Sequence, residues 1–254
     1  MDKLNVNKIR LAYVRRGSGT PLVLLHGYPL DHTIWDEVVP LLEGDFDLIV
    51  PDLRGFGQSE VVESQYTMAD MAADVTALLD ELGVENTCIA GHSMGGYVAL
   101  AFVRNYPERV LGLGLVSSQA LGDSPERKQG RYASADEIMR TGVEPVAESM
   151  SPKLSPDKRV QAFVRDLIAA QQPAGLSGAL KAMGERFDST LFLPTFKFPV
   201  VLLHGTADEL IPVERSREIK AATKTAYLSE LSGGGHMPMM ENPQETAATL
   251  KKLL

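Results

Sequence analysis

The chain has 254 residues, of which 44% are hydrophobic and 23% charged, and its formal net charge is −8. That length accommodates one large α/β domain, or one domain carrying an insertion, with a substantial buried core. The acidic balance contains no basic run, which excludes the clustered Lys and Arg that nucleic acid or an anionic membrane surface requires.

The polar start, Met1 to Asn5, has no apolar stretch of signal-peptide or membrane-span length. The single cysteine, Cys88, lies in an apolar run and reads as an inert core residue, so a cytoplasmic location is expected. Leu4 to Val14 reads as a hairpin of two short strands about Asn7-Lys8. Pro21 to Leu25 is a continuous apolar run, the mark of a strand covered on both faces of a parallel sheet. It ends in His26-Gly27-Tyr28-Pro29, and Thr33 to Leu42 reads as helical, with Ile34, Val38 and Leu41 on one side. Phe46 to Val50 is the next strand, followed by a turn-rich loop from Asp52 to Ser59.

Apolar residues at 68, 71, 72, 75, 78, 79 and 82 predict an amphipathic helix from Met68 to Leu82, with Thr67 as its N-cap. Thr87 to Ala90 is a strand, Tyr97 to Asn105 a helix, and Val110 to Val116 another strand. Strand and helix alternating at this spacing predict a parallel sheet covered on both faces. The alternation breaks between Ser118 and Phe198, where prolines divide short helical pieces; the best runs from Pro156 to Gln171 with Ser155 as N-cap. Residues 119–197 are therefore read as a helical cap inserted into a core formed by 1–118 and 198–254. Pro199 to Leu203 resumes the strand pattern, then a helix from Val213 to Ala222, a strand near Ala226 to Leu231, and a final helix capped by Asn242.

Chemistry concentrates at Gly91-His92-Ser93-Met94-Gly95-Gly96, where a strand turns directly into a helix. Gly91 and Gly95 read as steric relief that leaves the Ser93 hydroxyl at the tip of a tight turn. The following helix aims N–H groups, chiefly that of Met94, at developing negative charge. A serine at neutral pH needs an imidazole to take its proton and a carboxylate to orient that imidazole. Of five histidines, His236 sits in the flexible run Gly233-Gly234-Gly235 after the last strand and is the expected base. His92 adjoins Ser93 but is expected to point away from it. Asp208 follows the Val200 to Leu203 strand, where α/β sheets place ligands. Glu209 is the alternative acid, and Asp52 a rival expected to tie down its own loop through Arg54.

Five strings carry a resemblance over nearly the whole chain: His26-Gly27-Tyr28-Pro29, Asp52-x-Arg54-Gly55-x-Gly57-x-Ser59, the Ser93 turn, Gly205-x-x-Asp208, and Gly235-His236-x-Pro238-x-x-Glu241-x-Pro243. Together they resemble the α/β-hydrolase superfamily, and their wording is similar to bacterial carboxylesterases and arylesterases, cofactor-free haloperoxidases and enol-lactonases. The resemblance implies a mostly parallel eight-stranded sheet and a cap after the sixth strand. It also implies a triad of Ser93, Asp208 and His236, with an oxyanion hole built from the Tyr28 and Met94 amides. A serine at the turn departs from the haloalkane dehalogenase and epoxide hydrolase pattern, which uses aspartate there. The implied activity is hydrolysis of small-molecule carboxylic esters, with no cofactor and no metal; a lactonase or C–C bond hydrolase uses the same triad, and a ligand receptor keeps it while signalling through the cap.

Overall fold

A computed structural model describes residues 1–254. Eight strands form one sheet in the order β1-β2-β4-β3-β5-β6-β7-β8. The antiparallel part is short: β1 (Asp2–Val6) pairs with β2 (Ile9–Gly17), which pairs with β4 (Phe46–Pro51). The remaining neighbours run parallel through β3 (Thr20–Leu25), β5 (Thr87–His92), β6 (Val110–Val116), β7 (Val200–Gly205) and β8 (Ala226–Leu231).

Side chains alternate across a strand, and here the alternation divides the core. Val23, Leu25, Ile49, Ile89 and Leu113 face one apolar layer with α2 (Met68–Glu81) and α3 (Met94–Asn105). Leu22, Leu24, Leu48, Val50 and Cys88 face the other, where α1 (Val39–Leu42) and the C-terminal helices lie. Burial on both faces explains the unbroken apolar strings of β3 and β7. Cys88 is buried with its thiol pKa pushed up to about 11 by that burial, as an inert core residue requires.

Between β6 and β7 lie four helices, α4 (Pro125–Thr141), α5 (Glu144–Leu154), α6 (Lys158–Ala169) and α7 (Pro173–Gly184), and no strand. They work as two pairs, α4 against α7 and α5 against α6. Ala135, Ile138, Leu176 and Ala179 of the first pair join the layer that holds Tyr28 and Met94. Leu154, Val160, Val164 and Ile168 of the second join the layer that holds Trp35 and Met237. After β7 come α8 (Glu214–Ala222), β8, α9 (Pro238–Glu241) and α10 (Pro243–Leu250).

Two predicted helices differ in detail. Thr33 to Leu42 is not one helix but a 3-10 turn over His32–Trp35 and the short α1. Pro40 has no N–H to donate to the preceding turn, and the inward residues are Ile34, Trp35, Val38 and Leu42, while Leu41 is exposed. The Pro156 to Gln171 helix starts two residues late. Asp157, not Ser155, caps it by accepting the Arg159 N–H at 2.7 Å, and Ser155 Oγ accepts from Asp157 N at 3.1 Å. The Thr67 cap stands as read, with Asp70 completing a reciprocal capping box that satisfies two otherwise orphaned N–H groups.

Candidate active site

Ser93 stands between β5 and α3 with φ 50° and ψ −112°. A non-glycine residue with positive φ costs on the order of 1–3 kcal/mol and persists only where its surroundings hold it. Three bonds do so: Ser93 N donates to Val116 O at 2.9 Å, and Ser93 O accepts from Gly96 N at 3.0 Å and from Ser118 Oγ at 2.8 Å. The turn also needs its glycines. A Cβ on Gly91 would fall onto the Gly95 backbone, and one on Gly95 would lie 2.6 Å from Leu25 O.

The His236 imidazole and the Asp208 carboxylate meet at 2.6 Å, Nδ1 to Oδ2. Asp208 Oδ1 accepts from the N–H groups of Leu210 at 2.8 Å and Ile211 at 3.0 Å. His204 Nε2, which donates to Ile211 O at 2.8 Å, also lies 3.2 Å from Oδ2. Burial presses Asp208 toward its neutral form, yet the charge of His236 and these hydrogen bonds outweigh it and hold the carboxyl well below the usual range. Glu209, next in sequence, is exposed. Close approach of β7 to the His236 loop requires Gly205, since a Cβ there would strike the Gly234 and Gly235 carbonyls.

The loop that carries His236 is held from three directions. His92 Nε2 donates to His236 O at 2.8 Å and the two rings pack with centroids 4.8 Å apart. The expectation that His92 points away from the serine is thus half the account; it points at the His236 backbone. Glu241 accepts the Gly235 N–H at 2.6 Å, and His236 N donates to Leu154 O of α5 at 2.9 Å. Ser93 Oγ itself makes no hydrogen bond to the imidazole; the two are linked through His92. Hydroxyl–base contacts of this kind commonly tighten only with substrate bound.

Tyr28 follows β3, and a Cβ placed on its neighbour Gly27 would lie 3.1 Å from Ser93 Cβ, so this loop runs directly past the serine. The Tyr28 N–H donates to no group of the chain, and the Met94 N–H, first of α3, has no acceptor within its own helix. Both amides are available near Ser93. The Tyr28 ring is buried edge-on to Phe56, with centroids 6.3 Å apart.

Asp52 does not pair with Arg54. Its Oδ1 accepts from His32 Nδ1 at 2.7 Å and its Oδ2 from Gln58 N at 2.8 Å, while Arg54 forms a two-pronged pair with Asp74, both contacts at 2.6 Å. Asp52 remains a loop-fastening residue, through a different partner. His26 Nε2 accepts from Leu53 N at 2.9 Å and binds that loop to the one carrying Tyr28.

His92, Ser118, His204 and Glu241 were not read from the sequence as parts of the site. Two of them, His92 in the Ser93 string and Glu241 in the last one, left a local trace.

A mostly parallel sheet with a serine at a strand-to-helix turn, and an aspartate–histidine pair in two later loops, defines the α/β-hydrolase class of fold. The chain belongs to the alpha/beta hydrolase fold family, which matches residues 20–243. Among solved structures, a thermophilic esterase from Thermogutta terrifontis with malate bound is 35% identical at a TM-score of 0.94, covering 99% of this chain and 96% of that one. The enol-lactonase from Burkholderia xenovorans LB400 shares the fold at a TM-score of 0.91 and 24% identity, covering 99% of each chain. Among curated proteins, the dihydrolipoyllysine-residue acetyltransferase component of the acetoin cleaving system of Cupriavidus necator is 30% identical over 98% of this chain and 68% of its own length. No helix is long and apolar enough to cross a membrane.

Proposed function

We propose that the protein is a serine hydrolase of small carboxylic esters, working through an acyl-enzyme. The observation that carries this reading is the 2.6 Å bond from His236 Nδ1 to Asp208 Oδ2, beside a serine held at positive φ. A proton on Nδ1 leaves Nε2 free to take the Ser93 proton. Ser93 Oγ then bonds to the acyl carbon, the carbonyl oxygen gains charge, and the Tyr28 and Met94 N–H groups stabilise it. Collapse expels the alcohol, which receives the proton from His236. Water, deprotonated by the same imidazole, releases the acid and restores Ser93.

Asp208 stays ionised throughout and stabilises the imidazolium that each step forms. The Leu210 and Ile211 N–H groups and His236 Nδ1 fix the carboxylate before the reaction begins, so little reorientation cost arises at the transition state. Helices α4 to α7, within residues 119–197, act as the cap over the Ser93 mouth and restrict the acyl group. The likeness to the Thermogutta terrifontis esterase, extending over essentially the full length of both chains, supports an ester over other acyl substrates.

The test is pre-steady-state hydrolysis of p-nitrophenyl acetate alongside a lactone panel. A burst of p-nitrophenol equal to the enzyme concentration, abolished in Ser93→Ala, is the expected result. Lactones turned over with far higher kcat/KM than any linear ester would reassign the substrate class, and an absent burst with unchanged turnover in Ser93→Ala would overturn the mechanism.

A further inference from the structure

Two cavities meet on the outer part of α3, away from the residues assigned to catalysis. The first, of about 250 Å³, is bordered by Tyr97, Gln119 and the side chains of Arg104 and Arg186. The second, of about 240 Å³, is lined by Val103, Phe192, Phe196 and Phe198. Leu100, Arg104 and Ser189 border both. Arg104 lies eleven residues beyond Ser93, about 16 Å along the helix axis.

The charges around the first cavity are unbalanced. Arg104 faces no carboxylate: its Nε donates to Asn105 Oδ1 at 3.1 Å, and its guanidinium lies over the Phe187 ring at 4.5 Å. Arg186 stacks on Tyr97 at 4.3 Å and shares the single carboxylate of Asp123 with Arg127 and Arg131. Its Nη2 is buried without a partner. The one acid at the rim, Glu185, is already engaged by Lys128 and the Tyr132 hydroxyl, each at 2.6 Å. In a chain of net charge −8, this is a local cationic site.

The second cavity has the opposite character. Phe196 and Phe198 stack with centroids 5.1 Å apart, and Phe192 closes the side nearer Phe187. A guanidinium at the head of an aromatic trough has the shape of a receptor for an amphipathic anion: the planar fork matches a carboxylate, and the trough removes an alkyl chain from water.

From this pairing we infer that the α3 cavities bind a medium-chain carboxylate, its head group between Arg104 and Arg186 and its chain along Phe192, Phe196 and Phe198. The site is separate from Ser93 and holds its ligand without turning it over. Occupancy ties α3 to the segment that returns from α7 to β7, because the two arginines belong to different sides of the cavity.

Calorimetric titration of the full chain with sodium decanoate, with butyrate and decanol as controls, tests this. Decanoate should bind at one site, and butyrate and decanol should each bind at least about 10-fold more weakly, for want of the chain and of the charge. Arg104→Gln, at a half-exposed position, should weaken decanoate about 10-fold or more while leaving p-nitrophenyl acetate hydrolysis unchanged. Ser93→Ala should bind decanoate as the wild type does, which separates this site from the proposed reaction. Equal binding of butyrate and decanoate, equal binding of decanol, or unchanged affinity in Arg104→Gln would each overturn the assignment.

Discussion

His92 Nε2 donates to the carbonyl of His236 across 2.8 Å, and the Nδ1 atom of the same ring is buried without a partner. A carbonyl only accepts, so the proton of His92 resides on Nε2. Burial, reinforced by the charge of His236, keeps its pKa well below the ordinary histidine value. The ring is therefore a neutral strut between the serine turn and the His236 loop. His92→Ala should lower kcat on the order of 10- to 100-fold with little change in KM, since misplacement of the base costs rate rather than binding. Glutamine, which keeps a donor, should recover part of it; equal kcat in wild type and His92→Ala would rule the strut out.

The triad itself is tested by non-additivity. Ser93→Ala, His236→Ala and the double variant should lose kcat to a similar depth, on the order of 10⁴-fold or more, because the groups act as a unit. Asp208→Asn should fold and lose on the order of 10²-fold or more, through the tautomer and charge of His236. Steady-state kinetics beside circular dichroism reads both, and full activity in Asp208→Asn would return the acid to Glu209 or Asp52.

Gly205→Ala probes the approach of β7 to the His236 loop. The added methyl meets two carbonyls rather than a flexible side chain, so either the strand or the loop must shift. A stability loss of about 1–3 kcal/mol in urea unfolding is expected, together with a fall in kcat. A variant as stable and active as the wild type would show that the contact yields without consequence.

The His32–Asp52 pair predicts a pH dependence of stability. Burial opposes the charge on His32, but the Asp52 hydrogen bond and charge outweigh it and raise the pKa above 6.5. On Asp52, burial is likewise outweighed by the His32 hydrogen bond and the backbone donors, which lower its pKa. A raised histidine pKa contributes stability that is complete below the unfolded value and is lost as pH rises through the folded one. Unfolding free energies of wild type and His32→Gln should thus differ most near about pH 5.5 and converge toward about pH 9. A difference that grows with pH would contradict the pairing.

Most of the sheet and all three proposed catalytic residues were legible because their signals are local. A continuous apolar run marks a two-sided strand, glycines two residues either side of Ser93 mark the tight turn, and strand ends locate Asp208 and His236. What escaped joins residues far apart in the chain. Arg54 reaches Asp74 rather than the nearby Asp52, His92 reaches His236, and Leu154 reaches the same loop from α5. No periodicity encodes such pairings; they follow from where the sheet brings its loops. The broken Thr33 to Leu42 helix is a different failure, since Pro40 and the Asp31 side chain accepting from Thr33 N at 3.0 Å were present to be weighed.

The hydrogen bond from His236 N to Leu154 O bears on how this scaffold tolerates remodelling. Helices α5 and α6 are rooted in the layer that carries Trp35 and Met237, and α5 fastens the backbone of His236. Helices α4 and α7 root in the opposite layer and make no such tie to His236. The four-helix segment is mechanically two devices: one a bracket, the other an exchangeable wall. Grafting a foreign α4 or α7 would remodel that wall while the His236 imidazole keeps its seat, whereas grafting α5 would unseat it, so remodelling has a cheap route and an expensive one within a single insertion.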